Sequence, residues 1–334
     1  MTHAVTTPSP PAGAREPHRW LAHLPVTLFS SVMGLGGLSL AWRRADRVWD
    51  LPSWPALVFL ALATVAFVVV AGLYAAKWAR HPTAARAELA HPVRMTFAPT
   101  ATISLLVLAT AGQDVAPALA SALWWVGALG HLAATIAIIS VWFARADIVH
   151  ASVTPAWFIP VVGNVITPLA AAELGSVELA WFAFGVGIVF WVALLPLLLQ
   201  RVVLHEPPLP AKLLPTIAIF AAPPAVALLS WQALTGSVDD PVGRVLYAAA
   251  MVFVALLLAQ VRRLRRLPFA LPAWAYTFPL AAASAAAVTM AGARPQVAYD
   301  VVAGVLLAGS TVLVLAVAAL TLGAAGRRQI CVPE

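Results

Sequence analysis

Side chains able to do chemistry are scarce in this sequence, and their spacing fits none of the common catalytic plans. His131 is the one ionisable side chain placed near the middle of a long apolar run. An ionisable group at membrane depth calls for a functional reading by default, and an imidazole could relay protons. The competing reading is a neutral histidine hydrogen-bonded to a neighbouring helix, and no carboxylate stands near it in the sequence as a partner. There is no Ser/His/Asp constellation, and no His/Cys cluster has metal-ligand spacing. The single cysteine, Cys331, excludes an internal disulfide framework. An enzyme is not expected, nor is a metal or another cofactor.

What the apolar runs do carry is uncharged polarity and proline. In 267–293, LPFALPAWAYTFPLAAASAAAVTMAGA, there is no charge, and Pro279 lies near the middle behind the bulky ring of Phe278. Proline removes one helical donor and frees a carbonyl four residues back. Lipid cannot satisfy that carbonyl, so the broken backbone belongs against protein or beside a water-filled cavity. A bulky side chain at a mid-membrane break could plug a pore; the same features also describe an ordinary kinked core helix. Asn164 lies between Pro160 and Pro168, where a locally unwound backbone could leave its amide free to donate to an anion. Hydroxyls at Thr27, Ser30, Ser31, Thr100, Thr102, Ser104, Thr167, Thr216, Thr277 and Ser284 either face such a pore or bond back to their own backbone.

The elements that must position these residues are membrane helices. The chain has 334 residues, 62% hydrophobic and 10% charged, too few charges for a soluble surface. Ten apolar runs, at 24–42, 54–76, 96–112, 117–143, 155–172, 177–200, 211–234, 241–261, 268–292 and 296–324, each approach the ~20 residues a spanning helix needs. Residues 1–20 read as a flexible cytoplasmic tail, 21–325 as the membrane domain, and 326–334 as a short cytoplasmic tail. The net charge of +7 does not point to nucleic acid, because the basic residues sit in short loops. With both termini inside, only Arg43, Arg44, Arg47, Arg244 and Arg294 fall outside, against fifteen of the twenty Lys and Arg inside. That asymmetry orients a multi-pass protein of the cell membrane.

Proline placement divides the helices. Pro25 and Pro99 lie near the starts of the first and third runs, Pro160 and Pro168 interrupt the fifth, Pro223 and Pro224 the seventh, and Pro279 the ninth. Even-numbered runs mostly hold proline at their first turn, where a missing N–H costs nothing, with Pro196 the exception. Broken helices alternating with straight ones amount to a degenerate repeat of five helical hairpins, broken members inside and straight ones outside. No broken run has a charge in its core. Ion-coupled transport therefore has little to run on, and a neutral pore with basic cytoplasmic loops favours passive movement of inorganic or organic anions.

Several stretches are also familiar. HPVRMTFAPTATISLLVLAT (91–110), PAWFIPVVGNVITPLAAAELG (155–175), LPAKLLPTIAIFAAPPAVALLSW (209–231) and WAYTFPLAAAS (274–284) resemble the tellurite-resistance/dicarboxylate transporter family. Its members include bacterial TehA proteins, fungal malate and sulfite transporters and the plant slow-type guard-cell anion channels; PVTLFSSVMGLGGLSLAW (25–42) fits its first helix. The resemblance implies an all-α polytopic membrane protein of ten transmembrane helices, five hairpins around a pseudo-five-fold central pore, assembled as a homotrimer in the lipid bilayer. It implies a phenylalanine gate on the ninth helix in a W-A-x-x-F context, which Phe278 matches. Many relatives place Phe-Gly in the first helix where this chain has Phe29-Ser30; a pore-facing Ser30 would narrow the lumen and add a hydroxyl. The expected function is a gated anion channel-like transporter of the TehA/SLAC type. The alternative is a carrier or exporter of C4-dicarboxylates, sulfite or tellurite-type oxyanions, with proton coupling through His131.

Overall fold

The structure, a computed structural model, describes residues 19–204 and 207–332. The tail expected over 1–20 falls outside the described residues apart from its last two. Ten long helical segments follow one another: α1 (Phe29–Trp49), α2 (Trp54–Arg80), α3 (Arg94–Gly112), α4 (Pro117–Ala144), α5 (Pro155–Leu174), α6 (Val177–Leu204), α7 (Ala211–Thr235), α8 (Pro241–Ala259), α9 (Leu271–Ala293) and α10 (Val297–Gly326). Among the described residues, α2 to α10 are the nine long and apolar enough to cross a membrane. α1 stands outside that count because its last turns carry Arg43, Arg44, Asp46 and Arg47.

The division into inner and outer helices is a division of burial. Within the most apolar stretch of each segment, 72% of α3, 78% of α5, 83% of α7 and 67% of α9 is buried, against 22–28% of α2, α4, α6, α8 and α10. α1 belongs with the inner set, since most of Phe29–Ala45 is buried. Each inner helix packs on the outer helix that follows it, and the inner ones touch in a closed order: α1 on α3, α3 on α5, α5 on α7, α7 on α9 and α9 back on α1. The outer helices turn rows of Val, Leu, Ile and Phe outward, among them Val65, Ile136, Phe182 and Val305, as lipid-facing surfaces do.

Close approach in the ring depends on small residues. A Cβ on Gly34 of α1 would lie 2.1 Å from the Thr277 hydroxyl of α9, and one on Gly36 would lie 2.5 Å from Val107 of α3. Opposite them, α9 reads AAASAAAV, almost entirely buried.

The inner helices break by changing helix type. α3 opens with a 3-10 turn at Arg94–Phe97, α7 with Ala211–Ala221 and α9 with Leu271–Tyr276; Val26–Leu28 precedes α1, and Gly163–Ala170 lies within α5. Pro279 was expected to break a continuous helix in mid-course. It sits instead in the first turn of the α-helical part Thr277–Ala293, just after the 3-10 stretch. Pro223 and Pro224 sit likewise at the start of Ala222–Thr235, and Pro99 directly precedes Thr100–Gly112. At such positions the missing N–H is one that a helix start leaves unpaired anyway. Pro168 lies inside its 3-10 stretch, and Pro25 just ahead of Val26–Leu28.

Short side chains cover the carbonyls at these junctions, each from three residues further along. Ser31 donates to the Leu28 carbonyl (2.7 Å), Thr100 to Phe97 (2.6 Å), Asn164 to Val161 (2.9 Å), Thr216 to Leu213 (2.6 Å) and Thr277 to Trp274 (2.7 Å). One such donor stands in each inner segment, so most hydroxyls expected either to face a pore or to bond backbone do the latter.

A buried ion pair fastens the end to which the basic loops belong. Lys77, in the last turn of α2, lies 2.6 Å from Glu88 of the short helix Pro82–Ala90, and both side chains are almost fully buried. Lys77 also donates to the Leu24 carbonyl (2.7 Å), and Glu88 accepts from the Val26 amide (2.8 Å) and the Tyr74 hydroxyl (3.1 Å). The pair ties α2 to the chain leading into α1. Neither residue was expected to be more than a loop charge.

Candidate functional site

At the centre of the ring lies a cavity of about 70 Å³, and all five inner segments line it. Ser30 and Met33 come from α1, Phe97, Thr100 and Ile103 from α3, Phe158, Val162, Gly163 and Ile166 among others from α5, Ile219, Ala222, Pro223 and Val226 from α7, and Trp274, Ala275, Phe278 and Pro279 from α9. The space exceeds the about 10–15 Å³ that one water requires. No lining residue is ionisable, and only Ser30 and Thr100 bring hydroxyls, the Thr100 proton being given to Phe97.

Phe278 is half-buried although it stands among fully buried neighbours, because part of its ring borders this cavity. Its other side rests on α1: a Cβ on Gly37 would lie 3.0 Å from Phe278 Cδ2 and 3.4 Å from Cε2. The missing side chain of Gly37 is the seat of the ring. Nothing in the sequence reading singled out Gly37, although the cluster MGLGG in an apolar run was its available signal.

Of the sequence-derived candidates, the cavity gathers Phe278, Ser30, Pro223 and Pro279; Pro25, Pro99, Asn164, Pro168 and Ser284 are not among its lining. Asn164 is fully buried and its amide is already in use, donating to Thr135 of α4 (2.8 Å) and to Val161 (2.9 Å). The expectation of a free amide at the pore is therefore corrected. The unwound backbone it was read from is real, and Asn164 caps that backbone. Ser284 is buried with no hydrogen-bond partner for its hydroxyl among the described residues.

His131 lies one layer behind the cavity wall. Its Nδ1 is 2.9 Å from the Thr102 hydroxyl, which is also 2.8 Å from the Pro99 carbonyl. Thr102 has one proton to give, either to Pro99 with Nδ1–H donating to Thr102, or to Nδ1 with the ring proton on Nε2. Nε2 has no partner among the described residues and faces Gly163, where a Cβ would come within 2.5 Å. A neutral histidine bonded to its neighbouring helix fits this arrangement.

At the far end of the ring, Arg44 of α1 donates to the Gln232 side chain of α7 (2.5 Å). α1 and α7 are not ring neighbours, so this contact reaches across. Arg43 is matched by Asp114 (2.7 Å) and Arg294 by Asp239 (2.7 Å), but Arg44 has no carboxylate partner among the described residues. Sequence reading counted Arg44 only as an outside charge.

A neutral lumen ringed by five broken helices, with a phenylalanine in it and an unmatched guanidinium near one end, is suited to passing small anions. Comparison with known proteins agrees. The family described as voltage-dependent anion channel, SLAC1, matches residues 23–322. The chain belongs to the SLAC1 family. It is similar to the S-type anion channel SLAH3 of Arabidopsis thaliana, 28% identical over 91% of this chain and 48% of the relative. The guard cell S-type anion channel SLAC1 of the same plant is 26% identical over 83% of this chain and 51% of the relative. A tellurite resistance protein TehA homolog of Haemophilus influenzae is 25% identical over 77% of this chain and 78% of its own length. The chain thus spans about half the length of these two plant relatives. SLAC1-family membership makes this a multi-pass membrane protein of an anion channel and transporter family, whose members are not enzymes.

Proposed function

We propose that this protein is a gated, passive pore for small anions, with Phe278 as its plug. The observation that carries this reading is the central cavity: all five inner helices contribute to it, none contributes an ionisable side chain, and Phe278 occupies its wall beside Gly37. A lumen without fixed charge lets anions pass by dehydration cost and weak contacts, without a tight site that would hold them. Arg44 would raise the local anion concentration at one end without binding any ion for long.

In the membrane, α1 counts as a tenth span, with its charged last turns at the outer surface. Both termini are then cytoplasmic, which the clustering of Lys77, Arg145 and Arg201 with residues 88–90 and 150 at one end supports. A homotrimer in the cell membrane with one pore per protomer rests on family resemblance.

The test is current across a planar bilayer in chloride and in nitrate, wild type beside Phe278→Ala. Large anion-selective current in the variant and little in wild type is the expected result. Silence in both, with malate or sulfite still crossing proteoliposomes saturably, would move the protein to the carrier class.

A further inference from the structure

A second and larger space, about 340 Å³, opens on the lateral side of the bundle between α8 and α10 and runs inward to the 3-10 turns that open α7 and α9. It is in the size range of ligand sites, about 300–1,000 Å³. Its walls are apolar, with Leu257 of α8, Leu313 of α10 and Phe269 ahead of α9. Two cations border it, Lys212 and Arg265, both exposed, and no carboxylate lines it. Neither cation has an ion pair among the described residues, although six other Lys and Arg do. The third polar feature is the Tyr276 hydroxyl, buried with no hydrogen-bond partner among the described residues. A buried hydroxyl without a partner is costly, and a bound acceptor would relieve it.

An apolar channel open to the bilayer, with two unmatched cations beside it and a hydroxyl proton to give, has the chemistry of one class of ligand. We propose that this groove binds an anionic glycerophospholipid. One of its acyl chains lies along α8 and α10, its phosphate is held by Lys212 and Arg265, and an oxygen of its glycerol ester region accepts from Tyr276. Basic pockets between membrane helices hold anionic headgroups in this way. Assigning the lipid to the cytoplasmic leaflet rests on the topology proposed above; the binding itself does not. The occupant would touch Tyr276 and Leu280, each two residues from Phe278, and so would bear on the segment that carries the proposed plug.

The test is native mass spectrometry of the full-length protein in detergent, titrated with dioleoyl phosphatidylglycerol or dioleoyl phosphatidylcholine. Wild type should retain phosphatidylglycerol in preference. Lys212→Gln and Arg265→Gln should each weaken that retention about fivefold, and the double variant should hold the two lipids alike. Ala316→Trp, on the exposed side of the groove, should lower retention of both lipids by filling the space. Equal retention of the two lipids by wild type, or a preference unmoved in the double variant, would overturn the proposal. So would an Ala316→Trp protein that changes oligomeric state while keeping its lipid, since the groove would then face a second copy of the chain. No current is measured, so failure here leaves the anion-pore reading standing, and a silent Phe278→Ala leaves the lipid result standing.

Discussion

Phe278 borders the central cavity on one side and rests on Gly37 on the other, so its position is set by a backbone carbon that bears no side chain. A methyl at Gly37 would stand 3.0 Å from the ring and 3.4 Å from Ala281 Cβ. The ring is the movable partner, since Ala281 is fixed to its helix. Gly37→Ala should therefore push Phe278 off its seat and give bilayer currents above wild type but below Phe278→Ala; a variant as silent as wild type would mean the ring has another resting place. Arg44→Gln, made in the Phe278→Ala background, should reduce anion current most at low ionic strength, where an unscreened guanidinium reaches furthest. Equal reduction at all salt concentrations would argue against an electrostatic role. Phe278 was legible in the sequence because a bulky ring before a proline in an uncharged run is itself a pattern. Gly37 was not, because its role depends on which face of α1 meets which residue of α9. Asn164 was half legible: the prolines around it announced broken backbone, but the acceptors for its amide, Thr135 and Val161, are a matter of packing.

The inner helices share one local design, in which a 3-10 stretch gives way to α-helix beside proline and a short side chain covers a carbonyl three residues back. Thr277 fills that place in α9, next to the proposed plug. Thr277→Val keeps the shape and removes one of the two donors to the Trp274 carbonyl, leaving it the backbone amide of residue 277. The expected loss is about 0.5–1.5 kcal/mol, read as a lower melting temperature in detergent; an unchanged midpoint would show that the backbone amide alone satisfies the carbonyl. The alternation of broken and straight helices could be read from proline alone, because proline acts on backbone whatever surrounds it. The ion pair of Lys77 and Glu88 could not be, since each reads singly as a loop charge and only the helix Pro82–Ala90 brings them together. Glu88→Leu strands the Lys77 ammonium in the interior and should cost about 3–5 kcal/mol, much of it recovered when Lys77→Met is added. A double variant no more stable than Glu88→Leu would place the cost in the lost bonds to Val26 and Tyr74 instead.

Five hairpins closing into a ring must be held at both ends, and the two ends are held differently. The end bearing Lys77 and Glu88 uses a buried pair. The opposite end joins its loops with exposed carboxylates: Asp239, ahead of α8, meets Arg294, ahead of α10, at 2.7 Å and Arg244 at 2.9 Å. Asp240 accepts from the Trp231 indole (2.7 Å) and caps α8 through the Gly243 amide (2.8 Å). The bond from Arg294, then that from Arg244, holds the Asp239 carboxyl below its ordinary range; the Trp231 bond, then the Gly243 amide, does the same for Asp240. A carboxyl whose value is depressed on folding stabilises the fold fully above its unfolded value, about 3.9, and loses that contribution as pH falls through the folded one. These loops should therefore contribute nothing to any change in melting temperature between pH 8 and pH 5, and should weaken below about pH 4. Asp239→Asn removes the charge that the two arginines hold. It should lower the melting temperature at neutral pH and make the decline below pH 4 shallower than in wild type. If the variant falls as steeply in acid as wild type does, the acid-sensitive tie lies elsewhere in the ring, and Asp239 is only a surface charge.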